Sequence, residues 1–163
     1  MKTKNILIPT DFSLESLNIV KTLLSEAVSK QLEETYHIVF ITGYDKGDSI
    51  RDLLFQSDAS IIQKLKTNEF NEALGILKNK YAKYFISSKF ILYNGYFQSR
   101  FNQVISCNKI DEIYFSATKP KSTLKNIFCL NKNIKKCELP KYEIQIETPI
   151  KSFEKERLAG FFS

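Results

Sequence analysis

The chain has 163 residues, 43% of them hydrophobic and 26% charged, with a net charge of +6. This is an ordinary globular balance, and a single domain of this size buries roughly 70% of its extended surface, enough for a substantial core. No apolar run approaches the roughly 18 residues of a membrane helix, and Met1 to Lys4 open without an apolar leader, so the expectation is a cytoplasmic protein.

Ile6-Leu7-Ile8 is a continuous apolar run of the kind a parallel strand shows when covered on both faces, and Pro9 ends it. Ser13 is placed to cap a helix over about 13–32, where Leu14, Leu17, Val20, Leu24, Ala27 and Val28 recur at helical spacing. His37 to Ile41 reads as a second strand closed by Thr42-Gly43. Ser49 and Asp52 suit a capping box, and the pattern continues through Leu65 and on from Phe70 to Leu77, with a break near Thr67-Asn68. Phe85 to Tyr93 reads as a third strand ending at Asn94-Gly95, and Ser99 as the cap of a short helix with Phe101, Val104 and Ile105 inside. Glu112 to Ser116 makes a fourth strand. Leu124, Ile127 and Phe128 fit one or two helical turns, and Tyr142 to Ile146 alternates as an edge strand does. The stretch from Asn131 to Pro140 is one turn or a loop, with Ile134 and Cys137 as its apolar positions.

Strands alternating with helices define an α/β fold, a mostly parallel sheet of five strands with helices on both faces. The boundaries expected are a domain over 1–147 and a C-terminal tail over 148–163. The charge is uneven: residues 119–141 hold seven lysines against Glu138 alone, a surplus equal to the net charge. An anionic partner would meet that stretch, but lysine outnumbers arginine 21 to 3 in the whole chain, and arginine is the residue that reads planar phosphates and base edges. Nucleic acid is therefore a minor reading.

Candidate chemistry is sparse. Asp11 lies just past the first strand, where ligands of open α/β sheets approach. It either accepts hydrogen bonds from a ribose or base, or supports its own loop with Thr10 and Ser13. Asp45, Asp48 and Asp52 read as helix-start carboxylates or a divalent-cation cluster. His37 is the sole histidine, and Cys107, Cys129 and Cys137 are spaced 22 and 8 apart, so neither a Ser-His-Asp set nor a zinc knuckle is legible. Tyr81, Tyr84, Phe85, Phe90, Tyr93, Tyr96, Phe97 and Phe101 crowd one region. Most are core, while Tyr96 and Phe97 are candidates for a crevice cover or an interface.

The opening Asn5-Ile6-Leu7-Ile8-Pro9-Thr10-Asp11-Phe12-Ser13, the second strand, Gly95 and Ile110 to Phe115 together resemble the universal stress protein family over roughly residues 4–146. The resemblance implies a Rossmann-like five-stranded parallel sheet and a cytoplasmic homodimer paired through Tyr142, Ile144 and Ile146, and with no catalytic motif legible no reaction is expected. Many members of the family bind ATP through a Gly-x2-Gly-x9-Gly-Ser/Thr loop after the fourth strand. Here Ala117, Pro120 and Leu130 stand where the glycines belong, and Asn131 takes the hydroxyl position. Pro120 has no amide hydrogen to donate and Leu130 is bulky where backbone must approach phosphate. The expectation is a divergent, non-ATP-binding interaction domain with no cofactor. The alternative is a nucleotide or small-anion binder using Asp11, Lys119, Lys121 and Asn131.

Overall fold

Ile6, Leu7 and Ile8 have no solvent exposure in the computed structural model of the chain, because alternate side chains of this strand enter two separate cores. The structure describes residues 2–47, 57–93, 97–117 and 126–145. Within them the elements run β1 (Lys2–Pro9), α1 (Leu17–Ser29), β2 (Glu34–Tyr44), α2 (Asp58–Leu65), α3 (Asn68–Lys80), β3 (Phe85–Tyr93), α4 (Gln98–Cys107), β4 (Glu112–Phe115), β5 (Ile127–Phe128), α5 (Asn131–Lys135) and β6 (Lys141–Glu143).

The sheet order is β3-β2-β1-β4-β6, all parallel, with β5 attached to β2 in the antiparallel sense. The first and fourth strands are neighbours, paired at Ile6 with Glu112 and Leu7 with Ile113. One face carries Ile6, Ile8, Ile38 and Phe40 under α1, α2 and α3. The other carries Leu7, Val39, Ile41, Ile113 and Phe115 under α4 and α5. Each fully buried aliphatic contributes about 1.5–3 kcal/mol, which is why a three-residue apolar run suffices to seat the central strand.

Several boundaries differ from the sequence reading for local reasons. Helix α1 starts at Leu17 after a turn over residues 14–16, and Ser13, whose hydroxyl donates to Asp11 Oδ1, accepts from the Ser16 amide at 3.4 Å, inside that turn and one step ahead of the helix. The break near Thr67 is real: Thr67 caps α3 by accepting from the Phe70 amide at 3.1 Å. Helix α4 begins at Gln98 behind Phe97, so Ser99 lies inside its first turn and caps nothing. Ile127 and Phe128 form a strand where helical turns were expected. Strand β6 is shorter than the expected 142–146, although the Ile144 amide still donates to Phe115 O at 2.7 Å. Ser49, Asp48, Asp52, Gly95, Tyr96, Leu124, Ile146 and the 148–163 tail lie outside the described residues.

Candidate functional site

The chain leaves β1 for β2 by a helix on one face and reaches β4 from β3 by a helix on the other. The carboxyl ends of β1 and β4 therefore flank the topological switch point, where open α/β sheets receive ligands. The loop after β1 is held from below: the Thr10 amide donates to Ile41 O at 2.9 Å and Thr42 Oγ1 donates to Thr10 O at 2.8 Å. Above, Thr10 Oγ1 and Ser16 Oγ share a hydrogen bond of 2.8 Å, and the Phe12 amide donates to Thr10 Oγ1 at 3.0 Å.

Asp11 Oδ1 accepts the Ser13 amide at 3.0 Å and the Ser13 hydroxyl as well. This is an Asx turn, in which a short carboxylate side chain takes the place of a backbone turn. Asp11 thus sits where a ligand would arrive, with one oxygen engaged in shaping its own loop. The same turn drives Phe12 into the left-handed region at φ 62°, a conformation that costs an L-residue roughly 1–2 kcal/mol. Burial of the Phe12 ring offsets that cost. Its centroid lies 5.4 Å from Phe70 and 5.7 Å from Phe90, and Phe40 stacks on Phe90 at 4.9 Å. Lys66 Nζ closes the cluster 3.9 Å from the Phe90 centroid.

Beyond the end of β1 lies β5. Gly43 pairs with Tyr93 of β3 on one edge of β2 and with Phe128 on the other, so β5 lies on the β1 side, in the track β1 would follow if it continued. The Asp45 amide donates to Asn126 O at 2.8 Å, and Asn126 Nδ2 donates to the Tyr44 hydroxyl at 3.1 Å. Gly43 permits this approach. A Cβ there would lie 2.6 Å from Phe128 O and 2.8 Å from the Phe128 ring.

The other expected site residues are dispersed. Asn131 begins α5 and its Nδ2 donates to Ser116 O at 2.7 Å, tying the helix to the end of β4, while the Leu130 side chain enters the core. Lys119, Lys121, Thr118, Pro120, Ser122, Thr123 and Lys125 lie outside the described residues. Asp45 Oδ1 accepts from the Gly47 amide at 2.9 Å, a turn contact. His37 Nδ1 meets Ser87 Oγ at 2.5 Å across two strands. Of the crowded aromatics, Tyr81, Tyr84, Phe85, Tyr93 and Phe101 are buried and Phe97 is 63% exposed.

Tyr142 and Ile144 lie at the end of the sheet. Tyr142 is 45% exposed and stacks on Tyr114 with centroids 4.9 Å apart. The amide of Ile144, a residue of the expected pairing edge, is spent on Phe115 O inside the protomer. Since backbone groups alternate in direction along a strand, those of Lys141 and Glu143 point away from β4 instead.

A feature the sequence reading missed spans three strands at the opposite end. Lys4 Nζ lies 3.1 Å from Glu34 Oε1 and 3.0 Å from Glu112 Oε1, and the Tyr36 hydroxyl donates to Glu34 Oε2 at 2.9 Å. Burial disfavours charge on Glu34, but hydrogen bonds from Tyr36 and Lys4 prevail and hold its carboxyl below the usual value. Burial likewise opposes the charge on Lys4, and the two glutamates outweigh it and raise the ammonium pKa. Burial, Glu34 and neighbouring charges push the Tyr36 phenol far up. The spacing of 4, 34 and 112 carries no local signal, so only the strand register reveals the cluster.

No helix among the described residues is long and apolar enough to cross a membrane. Neither a protein-family model nor a curated protein matches the sequence. Solved structures do match. The universal stress protein UspA from Lactobacillus plantarum is 13% identical, with a TM-score of 0.52 over 90% of this chain and 99% of that one. The hypothetical protein MJ0577 is 16% identical, with a TM-score of 0.50 over 90% and 98%. At such identity the likeness is one of fold: the chain has an α/β architecture similar to that of universal stress proteins.

Proposed function

We propose that the chain is a non-catalytic, cytoplasmic interaction domain of universal-stress type, acting as a homodimer through β6 and working without bound ATP. The observation that carries this reading is β5, which lays the protein's own backbone over the carboxyl end of β2 at the switch point. Two further features support it. The Asp11 loop satisfies itself through Ser13, and Asn131 spends its amide on Ser116 O. Among the described residues the outer edge of β6, with the exposed Tyr142 beside it, offers a surface for recognition.

Asp11 at the mouth of the crevice favours the second reading, a nucleotide or small-anion binder with Asp11 on the sugar side and Lys119 or Lys121 near phosphate. Sedimentation velocity with and without ATP and magnesium tests the two together. The proposal expects a dimer whose weight does not respond to nucleotide. A monomer, or association that requires ATP, would contradict it.

A further inference from the structure

We propose that the outer edge of β3 is a docking site for an extended acidic segment of a partner protein, which joins the sheet as a further strand and sets a carboxylate beside Lys66 and Lys78. The inference concerns the edge opposite β6 and is independent of the dimer proposed there. In the order β3-β2-β1-β4-β6 no strand lies beyond β3 among the described residues.

The register shows which groups of β3 face outward. The Tyr36 amide donates to Tyr84 O at 2.7 Å, while Ile41 O accepts the Thr10 amide on the other edge of β2. Even-numbered residues of β2 therefore aim their backbone groups at β3, and odd-numbered ones at β1. Ile38, Phe40 and Thr42 stand opposite Ser88, Phe90 and Leu92. In a parallel ladder a residue bonds the two neighbours of its opposite number, so Ser87, Lys89, Ile91 and Tyr93 face β2. Ser88, Phe90 and Leu92 each direct an amide and a carbonyl outward, at the spacing an added strand requires.

Two devices that commonly blunt such an edge do not act on this row. The bulge that shifts the register between Tyr36 and His37 lies ahead of it, at the exposed Ile86. Lys89 is the strand's one charged side chain, and its ammonium is drawn onto α4, where it donates to Asn108 Oδ1 at 2.8 Å.

Charge selects the occupant. Lys66 Nζ lies 3.9 Å from the centroid of the half-buried Phe90 ring, and Lys78 Nζ 5.6 Å from that of Phe85. Neither ammonium meets a carboxylate among the described residues. Burial, and then the like charge of Lys78, lower the pKa of Lys66. Residues 57–93 carry six lysines against Asp58, Glu69 and Glu72, and Asp58 is engaged by Lys46. An added strand would run about 4.8 Å from β3, with its side chain beside Phe90 on the same face of the sheet as that ring. A carboxylate at that position reaches the Lys66 ammonium and offsets its repulsion from Lys78. A second β3 edge would instead bring two sets of such lysines together, so the fit is to an acidic partner.

Amide exchange of the full chain tests the edge before any partner is added. Ser88, Phe90 and Leu92 should exchange quickly, and Lys89, Ile91 and Tyr93 slowly. Slow exchange in both sets would show the edge already covered and would overturn the proposal.

The docking probe is a fluorescein-labelled peptide of alternating glutamate and valine, compared by anisotropy with its lysine-valine counterpart. The glutamate peptide should bind saturably and slow exchange at Ser88, Phe90 and Leu92, and the lysine peptide should do neither. Ser88→Pro removes an outward amide and spares the ladder to β2, so it should abolish binding at an unchanged urea midpoint. Lys66→Gln and Lys78→Gln together should weaken binding by roughly tenfold with the edge intact. Equal binding of the two peptides, no binding of either, or binding that survives Ser88→Pro would refute strand addition at this edge.

Discussion

Replacing Gly43 by alanine tests whether β5 really seals the carboxyl end of β2. The new methyl carbon would lie 2.6 Å from Phe128 O and 2.8 Å from two carbons of the Phe128 ring. Comfortable contacts between carbons lie near 3.5–4.0 Å, so β5 must retreat by roughly 1 Å. Retreat on that scale strains the Gly43–Phe128 and Tyr44–Ile127 pairs and the 2.8 Å bond from the Asp45 amide to Asn126 O. Overpacking of this kind costs about 1–3 kcal/mol, and removing a strand glycine returns about 0.5–1 kcal/mol. The expected net loss lies between about 0 and 2.5 kcal/mol, centred near 1 kcal/mol and read as a lower urea midpoint with unchanged slope. Amide exchange at Asp45 should quicken while that of Thr10, bonded to Ile41 O, stays as in the parent. A variant with parent stability and parent exchange at Asp45 would refute the packing of β5 on β2.

Gly75→Ala is the contrasting case: it lies in α3 with nothing within 4 Å of an added Cβ, and it should gain about 0.5–1 kcal/mol in the same urea assay. Glu34→Gln should flatten the acid side of the stability profile. A carboxyl held below its usual value contributes stability above its unfolded pKa, near 4.3, and loses it as pH falls through the lower folded value. The parent should therefore lose more stability than the variant on going from about pH 6 to pH 3. Lys4 acts in the opposite direction: its raised pKa gives stability that is complete below about 10.5 and lost as pH rises through the folded value. Proline at Ile144 and at Glu143 should separate folding from association. Ile144→Pro removes the donor to Phe115 O and should lower the urea midpoint, whereas Glu143→Pro removes an outward donor and should shift sedimentation from dimer to monomer with little loss of stability.

What was legible in the sequence follows from how local each signal is. Burial on both faces of β1 shows directly as Ile6-Leu7-Ile8, and the α2 to α3 break shows as Thr67, which caps the next helix with its own side chain. Both readings of Asp11 could be written down, because an Asx turn needs only Asp11 and Ser13; that Ser13 would meet the Ser16 amide in a turn ahead of helix α1 depended on Ser16 and Thr10 as well. Ile127 and Phe128 were misread because their spacing from Leu124 mimics a helix. Their strand state depends on Gly43, more than eighty positions earlier, having no side chain. The direction of the Ile144 amide is also non-local, since it is set by the register of β6 on β4. The same holds for Lys4, Glu34 and Glu112, which meet only once three strands are aligned.

Calorimetric titration of the full chain with ATP and magnesium addresses the central claim most directly, with Asp11→Asn alongside. That variant keeps the oxygen acceptor of the Asx turn and removes the charge, so its loop should hold its shape. The proposed domain, with β5 laid along the end of β2, is expected to give no saturable heat up to millimolar nucleotide in either protein. Micromolar binding by the parent that Asp11→Asn abolishes would contradict the account and establish the crevice as a nucleotide site.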